Sequence, residues 1–221
     1  MRVIIFGATG MVGQALLREC LLDERVDRVL LVGRSPVRTT NEKVTQIVHG
    51  DFLDFSSIAL ELAGYDTCFF CLGVSATGMS EPAYRRVTYF ITMAAARELA
   101  AQNPTMRFLY ISGAGTDSTE HGRLMWARVK GETENAVLSL PFEGYALRPG
   151  YIQPQHGITS RNTLYRNLYR VTGGLYPLLT RVVPKYVIGS DQLAKAMLNI
   201  AADGTGMRIL DSAELTRLSR P

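Results

Sequence analysis

The feature that most constrains the fold is a glycine-rich turn that directly follows a short apolar segment near the start of the chain. Val3-Ile4-Ile5-Phe6 runs into Gly7-Ala8-Thr9-Gly10-Met11-Val12-Gly13, in which three glycines are spaced three residues apart. Helical periodicity continues from there to Leu22, and a second apolar segment follows at 28–32. A strand, a glycine turn and an amphipathic helix in this order are typical of the unit that opens a dinucleotide-binding sheet.

Apolar segments and helical segments continue to alternate along the chain. The predicted strands are 2–6, 28–32, 44–49, 66–72, 106–112, 143–148 and a weaker 206–210, and the predicted helices are 11–22, 56–63, 81–101, 123–138 and 191–202. This alternation predicts an α/β fold with a doubly wound, Rossmann-like parallel sheet. Residues 1–221 are expected to form a single NAD(P)-binding domain. Segment 152–188 departs from the alternation and is predicted to form a small C-terminal cap or lid on the substrate side.

The three glycines have separate roles in binding a pyrophosphate. Gly7 permits the sharp turn off the strand, Gly10 lets the phosphates approach the backbone, and Gly13 lets the helix pack close to the sheet. Free N–H groups and the helix dipole attract the negative charge. The remaining backbone of this phosphate site is assigned to Thr9, Met11 and Val12.

The end of the second strand predicts which dinucleotide is preferred. An acidic residue there would accept a hydrogen bond from the ribose 2′-hydroxyl of NAD and would repel a 2′-phosphate. Gly33-Arg34-Ser35 stands there instead, and Arg38 follows nearby. Because a guanidinium and a hydroxyl suit an additional phosphate, we predict NADP(H) as the cofactor and NAD as the less favoured alternative.

Three further motifs follow the third, fourth and sixth strands: His49-Gly50-Asp51, Leu72-Gly73 and Leu147-Arg148-Pro149-Gly150. With the glycine turn, their order resembles that of the atypical short-chain dehydrogenase/reductases. Among these, residues 1–210 look most similar to the Tat-interacting oxidoreductase-like subgroup. The resemblance implies that Asp51 and Phe52 border the adenine, that Leu72 and Gly73 border the adenosine ribose and pyrophosphate, and that Pro149, Gly150 and Tyr151 border the nicotinamide.

Active members of this family usually carry a serine at the end of the fifth strand and a Tyr-x-x-x-Lys sequence on the next helix. The resemblance places the catalytic serine at Ser112 and the catalytic lysine at Lys130, which would also bind the nicotinamide ribose. Trp126 stands where the tyrosine is expected. An indole N–H donates a hydrogen bond but does not ionise, so Trp126 cannot act as the acid or base.

Two functions therefore remain open. One is an NADP(H)-dependent oxidoreductase with an altered acid–base group, acting on an unidentified small substrate. The other is a catalytically weak or inactive NADP(H)-binding sensor or scaffold that docks on a protein partner. Another residue could supply the proton, and no spacing selects among Tyr84, Tyr89, Tyr151, His121 and His156. The histidines and cysteines show no metal-ligand spacing, so no metal is expected.

Composition limits the other classes of function. The 24 basic and 20 acidic residues give a net charge of +4, too small an excess to indicate nucleic-acid binding. Segment 161–170 would form an amphipathic helix whose basic stripe, Arg166 and Arg170, is most simply a solvated face over a packed apolar one. The stripe could also contact an anionic substrate or the second subunit of a homodimer, and a nucleic acid is the least expected partner.

No apolar run in the sequence has the length of a membrane span, so no membrane partner is expected. The three cysteines fit a reducing compartment, and Cys68 and Cys71 should point to opposite faces of one strand. We predict a cytoplasmic location.

Overall fold

Seven parallel strands form the central sheet of the protein in the computed structural model, which describes residues 1–158, 183 and 186–220. They are β1 (Arg2–Phe6), β2 (Arg28–Gly33), β3 (Val44–Val48), β4 (Thr67–Phe70), β5 (Arg107–Ile111), β6 (Glu143–Arg148) and β9 (Ile209–Asp211), while β7 (Tyr151–Gln153) and β8 (Val187–Gly189) form a separate parallel pair. The order in the sheet is β3-β2-β1-β4-β5-β6-β9. The chain moves outward from β1 to β3 and resumes on the other side of β1 at β4. A crevice therefore forms at the carboxyl ends of β1 and β4.

Helices pack on both faces of this sheet. They are α1 (Met11–Leu22), α2 (Glu81–Arg85), α3 (Ile91–Gln102), α4 (Met125–Leu138), α5 (Ser190–Asp203) and α6 (Ser212–Leu218). A π-helical turn, Arg86–Phe90, joins α2 to α3, and two 3₁₀ turns, Ser56–Ile58 and Leu60–Leu62, precede β4. The doubly wound, Rossmann-like parallel sheet predicted from the sequence is confirmed.

The core lies in two layers, one on each face of the sheet, because successive strand side chains point to opposite faces. Val3 and Ile5 of β1 belong to the layer that includes α1, α5 and α6, whereas Ile4 and Phe6 belong to the layer that includes α3. All four side chains are fully buried. Strands that are apolar on both sides are what a sheet covered on both faces requires.

The structure departs from the predicted elements in several places. The predicted helix 56–63 is a pair of 3₁₀ turns, and the predicted helix 81–101 contains the π-helical turn. The sequence pattern does not predict α6, β7 or β8. Most of the predicted cap, 152–188, and the whole basic segment 161–170 lie outside the described residues, and β7 and β8 mark where the predicted cap begins and ends.

The three cysteines are free thiols, and Cys68 and Cys71 pack into opposite layers of the core, as predicted. Burial raises the pKa of the Cys71 thiol to about 12, because the thiolate would lose its hydration. Neither thiol is therefore activated as a nucleophile.

Within the described ranges, no helix combines the length and the apolar character that crossing a bilayer takes.

Candidate cofactor and active site

The turn between β1 and α1 is as tight as the spacing of its glycines predicts. Gly7 has a φ of +81°, and a Cβ there would lie 3.0 Å from backbone atoms of Cys71 and Leu72, just after β4. A Cβ at Gly13 would lie 2.2 Å from the carbonyl oxygen of Gly7, so only glycine lets α1 approach the turn this closely. The Gly10 N–H donates to the same carbonyl at 2.9 Å and closes the turn.

The first turn of α1 lacks the side chains that usually satisfy its N–H donors. Gly10 is the N-cap residue and offers no side-chain acceptor, and no acidic residue stands in the first turn. Gln14 donates to the carbonyl oxygen of Thr9 at 3.0 Å and so braces the turn. The amides of Met11 and Val12 have no partner within the helix and lie at the positive end of its dipole. The turn therefore fits the pyrophosphate of a dinucleotide.

A cleft of about 200 Å³ lies beside this turn, at the carboxyl ends of β1 and β2. Residues 7–9 line one side of the cleft, and Arg34 and Ser35 line the other. Gln46 holds the second wall in place, because its side chain accepts a hydrogen bond from the Val37 N–H at 2.7 Å and donates to the Val37 carbonyl at 2.9 Å. None of the described residues that line the cleft is acidic. The structure thus brings the proposed 2′-phosphate ligands and the glycine turn to one cleft.

The residues expected to border the adenine and its ribose separate into two pairs. Phe52 and Leu72 line the cleft, and Phe52 packs edge to face on Phe55 with 5.5 Å between ring centroids. Asp51 and Gly73 are exposed and are not part of the cleft lining. Their predicted contacts with the adenosine remain predictions.

Lys130 lies in α4, and its ammonium reaches the end of β5. Nζ donates to the backbone carbonyl of Ser112, and a Cβ at Gly113 would lie 3.8 Å from Nζ. Burial lowers the pKa of Lys130 to about 8, because desolvation disfavours the ammonium, and the carboxylate of Glu134 opposes this shift. Near neutral pH the side chain can therefore exist in both its acid and its base form, as a proton-transfer group requires.

Ser112 directly follows β5 as predicted, but its hydroxyl already has a partner. The residue is buried, and its Oγ donates to the carbonyl oxygen of Leu147 at 3.0 Å. The backbone N–H of Ser112 donates to the same carbonyl at 2.8 Å. The hydroxyl thus helps to join β5 to β6, and a catalytic role for Ser112 remains a prediction.

A second cavity, of about 440 Å³, lies beside Lys130. Its walls are segment 74–77 after β4, Tyr84 of α2, and Met125, Trp126 and Lys130 of α4. A Cβ at Gly115 would lie 3.1 Å from the indole ring of Trp126, so the loop after β5 packs closely against that ring. Trp126 stands one helical turn before Lys130, and both side chains line the same cavity.

A buried ion pair beneath Lys130 is absent from the sequence-based prediction. Glu134 has no exposed surface and lies one helical turn after Lys130. Arg148, at the end of β6, donates from Nε to the Glu134 carboxylate at 3.0 Å and from Nη2 to that carboxylate and to the hydroxyl of Ser118. The pair therefore joins α4, β6 and the loop after β5. The i, i+4 spacing of Lys130 and Glu134 is a sequence signal that could have indicated it.

Pro149, Gly150 and Tyr151 form the connection from β6 into β7, close to the loop after β5. The carbonyl oxygen of Pro149 accepts a hydrogen bond from the Ala114 N–H at 2.9 Å. A Cβ at Gly150 would lie 2.3 Å from the carbonyl oxygen of Tyr186, so glycine allows the chain that enters β8 to pack here. Packing accounts for Gly150, and a contact of this turn with the nicotinamide remains a prediction.

The other candidate proton donors lie in different parts of the structure. Tyr84 lines the 440 Å³ cavity, but burial raises the pKa of its phenol. Tyr89 belongs to the π-helical turn and packs on Phe90, and His121 and His156 are exposed on loops. Across the part of the chain that the structure describes, no three His, Cys, Asp or Glu side chains are grouped closely enough to hold a metal ion.

Known proteins share sequence with most of this chain. The model of the NAD(P)H-binding family matches residues 7–157. Protein HTATIP2 of Rattus norvegicus is 30% identical over 154 residues, which cover 68% of this chain and 62% of the rat protein. The match thus spans less than two thirds of the rat protein. Protein FMP52-2, mitochondrial, of Scheffersomyces stipitis is 27% identical over 205 residues, which cover 90% of this chain and 86% of that protein.

Solved structures share the fold over nearly the whole chain. An oxidoreductase of the short chain dehydrogenase/reductase family from Burkholderia thailandensis has a TM-score of 0.69 at 17% identity and covers 97% of this chain and 92% of its own. The enzyme WbmF of Bordetella bronchiseptica in complex with NAD⁺ has a TM-score of 0.67 at 16% identity, and the match covers 98% of this chain and 76% of the WbmF chain. At these identities the likeness shows the fold alone.

The predicted cytoplasmic location is wrong. Both the Scheffersomyces relative and Protein FMP52 of Debaryomyces hansenii, which is 24% identical over 99% of this chain, are named as mitochondrial proteins. The prediction rests on cysteine usage and on the apolar pattern of the sequence, and these do not separate the cytoplasm from other reducing compartments.

The family follows from the match over residues 7–157, from the rat relative and from the sheet order taken together. The chain belongs to the NAD(P)H-binding family, and its predicted resemblance to the HTATIP2-like atypical short-chain dehydrogenase/reductases is confirmed.

Proposed function

We propose that the protein is an NADP(H)-dependent oxidoreductase in which Arg34 and Ser35 bind the 2′-phosphate of the cofactor. Lys130 donates a proton to the reacting oxygen of a small substrate. The observation that carries the proposal is the pairing of two features on one sheet edge. One is a phosphate-binding turn whose cleft is walled by Arg34 without an acidic neighbour among the described residues. The other is Lys130, whose ammonium is partly desolvated at the end of β5.

The preference for NADP(H) is supported by charge at the end of β2. Arg34 is exposed at the cleft, and its guanidinium is free to form two parallel hydrogen bonds with a phosphate. The Gln46 side chain is hydrogen-bonded to the backbone of Val37, shortly after Arg34 and Ser35. These bonds stabilise the loop that carries both side chains. In NAD-preferring sites of this fold, an acidic side chain would stand here and repel the phosphate.

The proposed chemistry assigns the proton to Lys130. Bound NADPH would supply a hydride to the substrate. Lys130 would hold a proton at Nζ and donate it to the substrate oxygen, and its lowered pKa makes that donation easier than from an ordinary lysine. The Ser112 carbonyl and the Glu134–Arg148 pair would keep the side chain in place.

A second function, an NADP(H)-binding protein without turnover, is favoured by two features. The Ser112 hydroxyl donates to the backbone carbonyl of Leu147, and Trp126, at the position where the resemblance expects the usual acid, does not ionise. Losing a positioned acid typically costs about 10² to 10⁴ in rate. This alternative predicts tight cofactor binding with no NADPH oxidation for any carbonyl substrate, whereas the oxidoreductase oxidises NADPH only when its substrate is present.

Calorimetric titration of wild type and Arg34→Ala with NADPH and NADH tests the cofactor proposal. We expect the wild type to prefer NADPH, and Arg34→Ala to bind NADPH about 10- to 100-fold more weakly, because a charge-assisted hydrogen bond is lost. Binding of NADH should be unchanged. Arg38→Ala is the matched control, since Arg38 is exposed on the same loop but does not line the cleft. Equal wild-type affinities for the two cofactors would refute the 2′-phosphate assignment.

A further inference from the structure

The 440 Å³ cavity beside Lys130 is large enough for a small organic ligand, since such sites usually measure about 300 to 1,000 Å³. It is distinct from the 200 Å³ cleft, because the two cavities share no lining residue. Under the proposed function, on which this inference rests, the cleft holds the adenosine end of the cofactor. The 440 Å³ cavity lies beside Lys130, where the proposed function requires the reacting oxygen of the substrate.

The lining of the cavity indicates an uncharged ligand. Lys130 is the sole ionised side chain among the described residues that line it, and no arginine is present to bind a diphosphate or a carboxylate by two hydrogen bonds. Ser75 and Thr77 contribute hydroxyls, which are 2.9 Å apart and hydrogen-bonded to each other. The other lining side chains are apolar or aromatic.

Trp126 gives the cavity a flat wall. Its indole ring is half-buried, and the backbone at Gly115, with a φ of +85°, packs against the ring edge where a side chain would intrude. A ring held in this way can stack on a second planar ring without first losing conformational freedom. The substitution that removes the usual acid thus also creates a surface suited to planar ligands.

The chemistry of the site favours a substrate whose reduction needs little help from an acid. Reducing an isolated ketone produces a strongly basic alkoxide, which requires a close proton donor. Reducing a quinone produces a phenolate-like oxygen, whose pKa of about 10 is similar to that of tyrosine. One ammonium group can stabilise and protonate that oxygen without a tyrosine.

We propose that the cavity binds a planar, uncharged conjugated carbonyl compound of the quinone type, stacked on Trp126 with one carbonyl oxygen at the Lys130 ammonium. The quinone accepts a hydride, which is two electrons and one proton, from NADPH, and NADPH is oxidised to NADP⁺. The resulting hydroquinone monoanion takes one proton from Lys130 at its oxygen and becomes the neutral hydroquinone. Lys130 then regains a proton from water.

Intrinsic fluorescence of the full chain tests this proposal directly, because Trp126 is its single tryptophan. The probe is duroquinone, a planar quinone whose four methyl groups leave no ring position for addition of a thiol. We expect saturable quenching of the Trp126 emission, whereas free N-acetyltryptophanamide shows only linear collisional quenching. By calorimetry, cyclohexanone and UDP-glucose should bind at least about tenfold more weakly than duroquinone, because one lacks a planar ring and the other carries a diphosphate.

Variants of Trp126 distinguish the loss of ring stacking from a general loss of folded structure. Calorimetry should show duroquinone binding to Trp126→Ala about threefold to tenfold more weakly, and binding to Trp126→Phe nearly as to wild type, because an aromatic face is retained. Leu60→Ala is the control, since Leu60 is 85% exposed and outside the cavity. Thermal unfolding of each variant confirms that it is folded. Equal binding of duroquinone by Trp126→Ala and wild type, or tighter binding of UDP-glucose, would overturn the proposal.

NADPH titration of the same samples distinguishes this inference from the proposed function. If NADPH binds and duroquinone does not, the substrate class is wrong and the cofactor assignment stands. If NADPH does not bind, the proposed function itself fails, whatever duroquinone does.

Discussion

At the scale of single residues, Lys130 is a group of the candidate site whose protonation depends on its place in the fold. Its ammonium is desolvated at the end of β5, donates to a backbone carbonyl and has Glu134 one helical turn away. Desolvation lowers the pKa of Lys130, and the Glu134 carboxylate opposes this shift. Because the two effects have opposite signs, removing the charge of Glu134 should lower the pKa of Lys130 further.

Titration of Lys130 by NMR checks that direction. With a pKa of about 8, the ammonium that donates the proton should be present below pH 8 and should disappear as the pH rises through that value. Glu134→Gln should move the midpoint to lower pH, because removing the carboxylate leaves desolvation unopposed. Glu132→Gln should leave it unchanged, since Glu132 pairs with Arg85. The assignment is practical because the chain contains four lysines. A midpoint above 10 in the wild type would contradict a desolvated ammonium.

The same scale shows where sequence-based prediction of the site stops. Lys130 and Trp126 line one cavity, as their i, i+4 spacing on a helix predicts. No pattern in the sequence predicts the direction of the Ser112 hydroxyl, because the carbonyl that accepts its hydrogen bond, that of Leu147, lies on the neighbouring strand. Contacts between strands depend on register, which a single strand sequence does not encode.

At the scale of elements, the approach of α1 to the β1 turn is the contact on which cofactor binding depends. Gly13→Ala would place a Cβ 2.2 Å from the Gly7 carbonyl oxygen, so α1 must move away from the turn. We expect a loss of about 1 to 3 kcal/mol in the free energy of unfolding. NADPH affinity should fall at least about tenfold, because helix and turn no longer hold the phosphates together.

Chemical denaturation and calorimetry measure the two effects of Gly13→Ala. Leu22→Ala is the control within α1, since Leu22 is 63% exposed at the far end of the helix and should change neither quantity appreciably. Unaltered NADPH binding by Gly13→Ala would show that the turn does not hold the phosphates.

The elements that could be predicted are those with a long periodic signal. β1, α1 and β2 begin and end within one residue of their predicted bounds, because strand, glycine turn and helix all reinforce one another. The sequence predicts a helix at 56–63 where the structure has two 3₁₀ turns, because the apolar spacing fits both forms over so short a segment. β7 and β8 are three residues each and pair across a long sequence separation, so neither carries a local signature.

At the scale of the whole molecule, binding at the sheet edge is linked to global stability. The proposed cofactor contacts the connections that follow β1 and β2, so it binds the folded chain and not the unfolded one. NADPH at about 100 times its Kd should stabilise the protein by about 2.7 kcal/mol. For a chain of this size that corresponds to a rise in Tm of about 5 to 10 °C.

Scanning calorimetry with and without NADPH measures this rise. At equal concentration, NADH should raise Tm less than NADPH, and Arg34→Ala should remove the difference between them. A Tm that is independent of NADPH, with the protein reversibly unfolded, would contradict binding to the native state.

The short parallel pair β7 and β8 has a consequence for changes in chain length. Gln153 is paired with Gly189, so two positions that are 36 residues apart in the sequence lie side by side. Joining two points of a chain costs only about 0.6 kcal/mol more for each doubling of the number of residues between them. Changing the number of residues between β7 and β8 is therefore expected to alter the free energy of folding little and to leave the glycine turn after β1 unchanged.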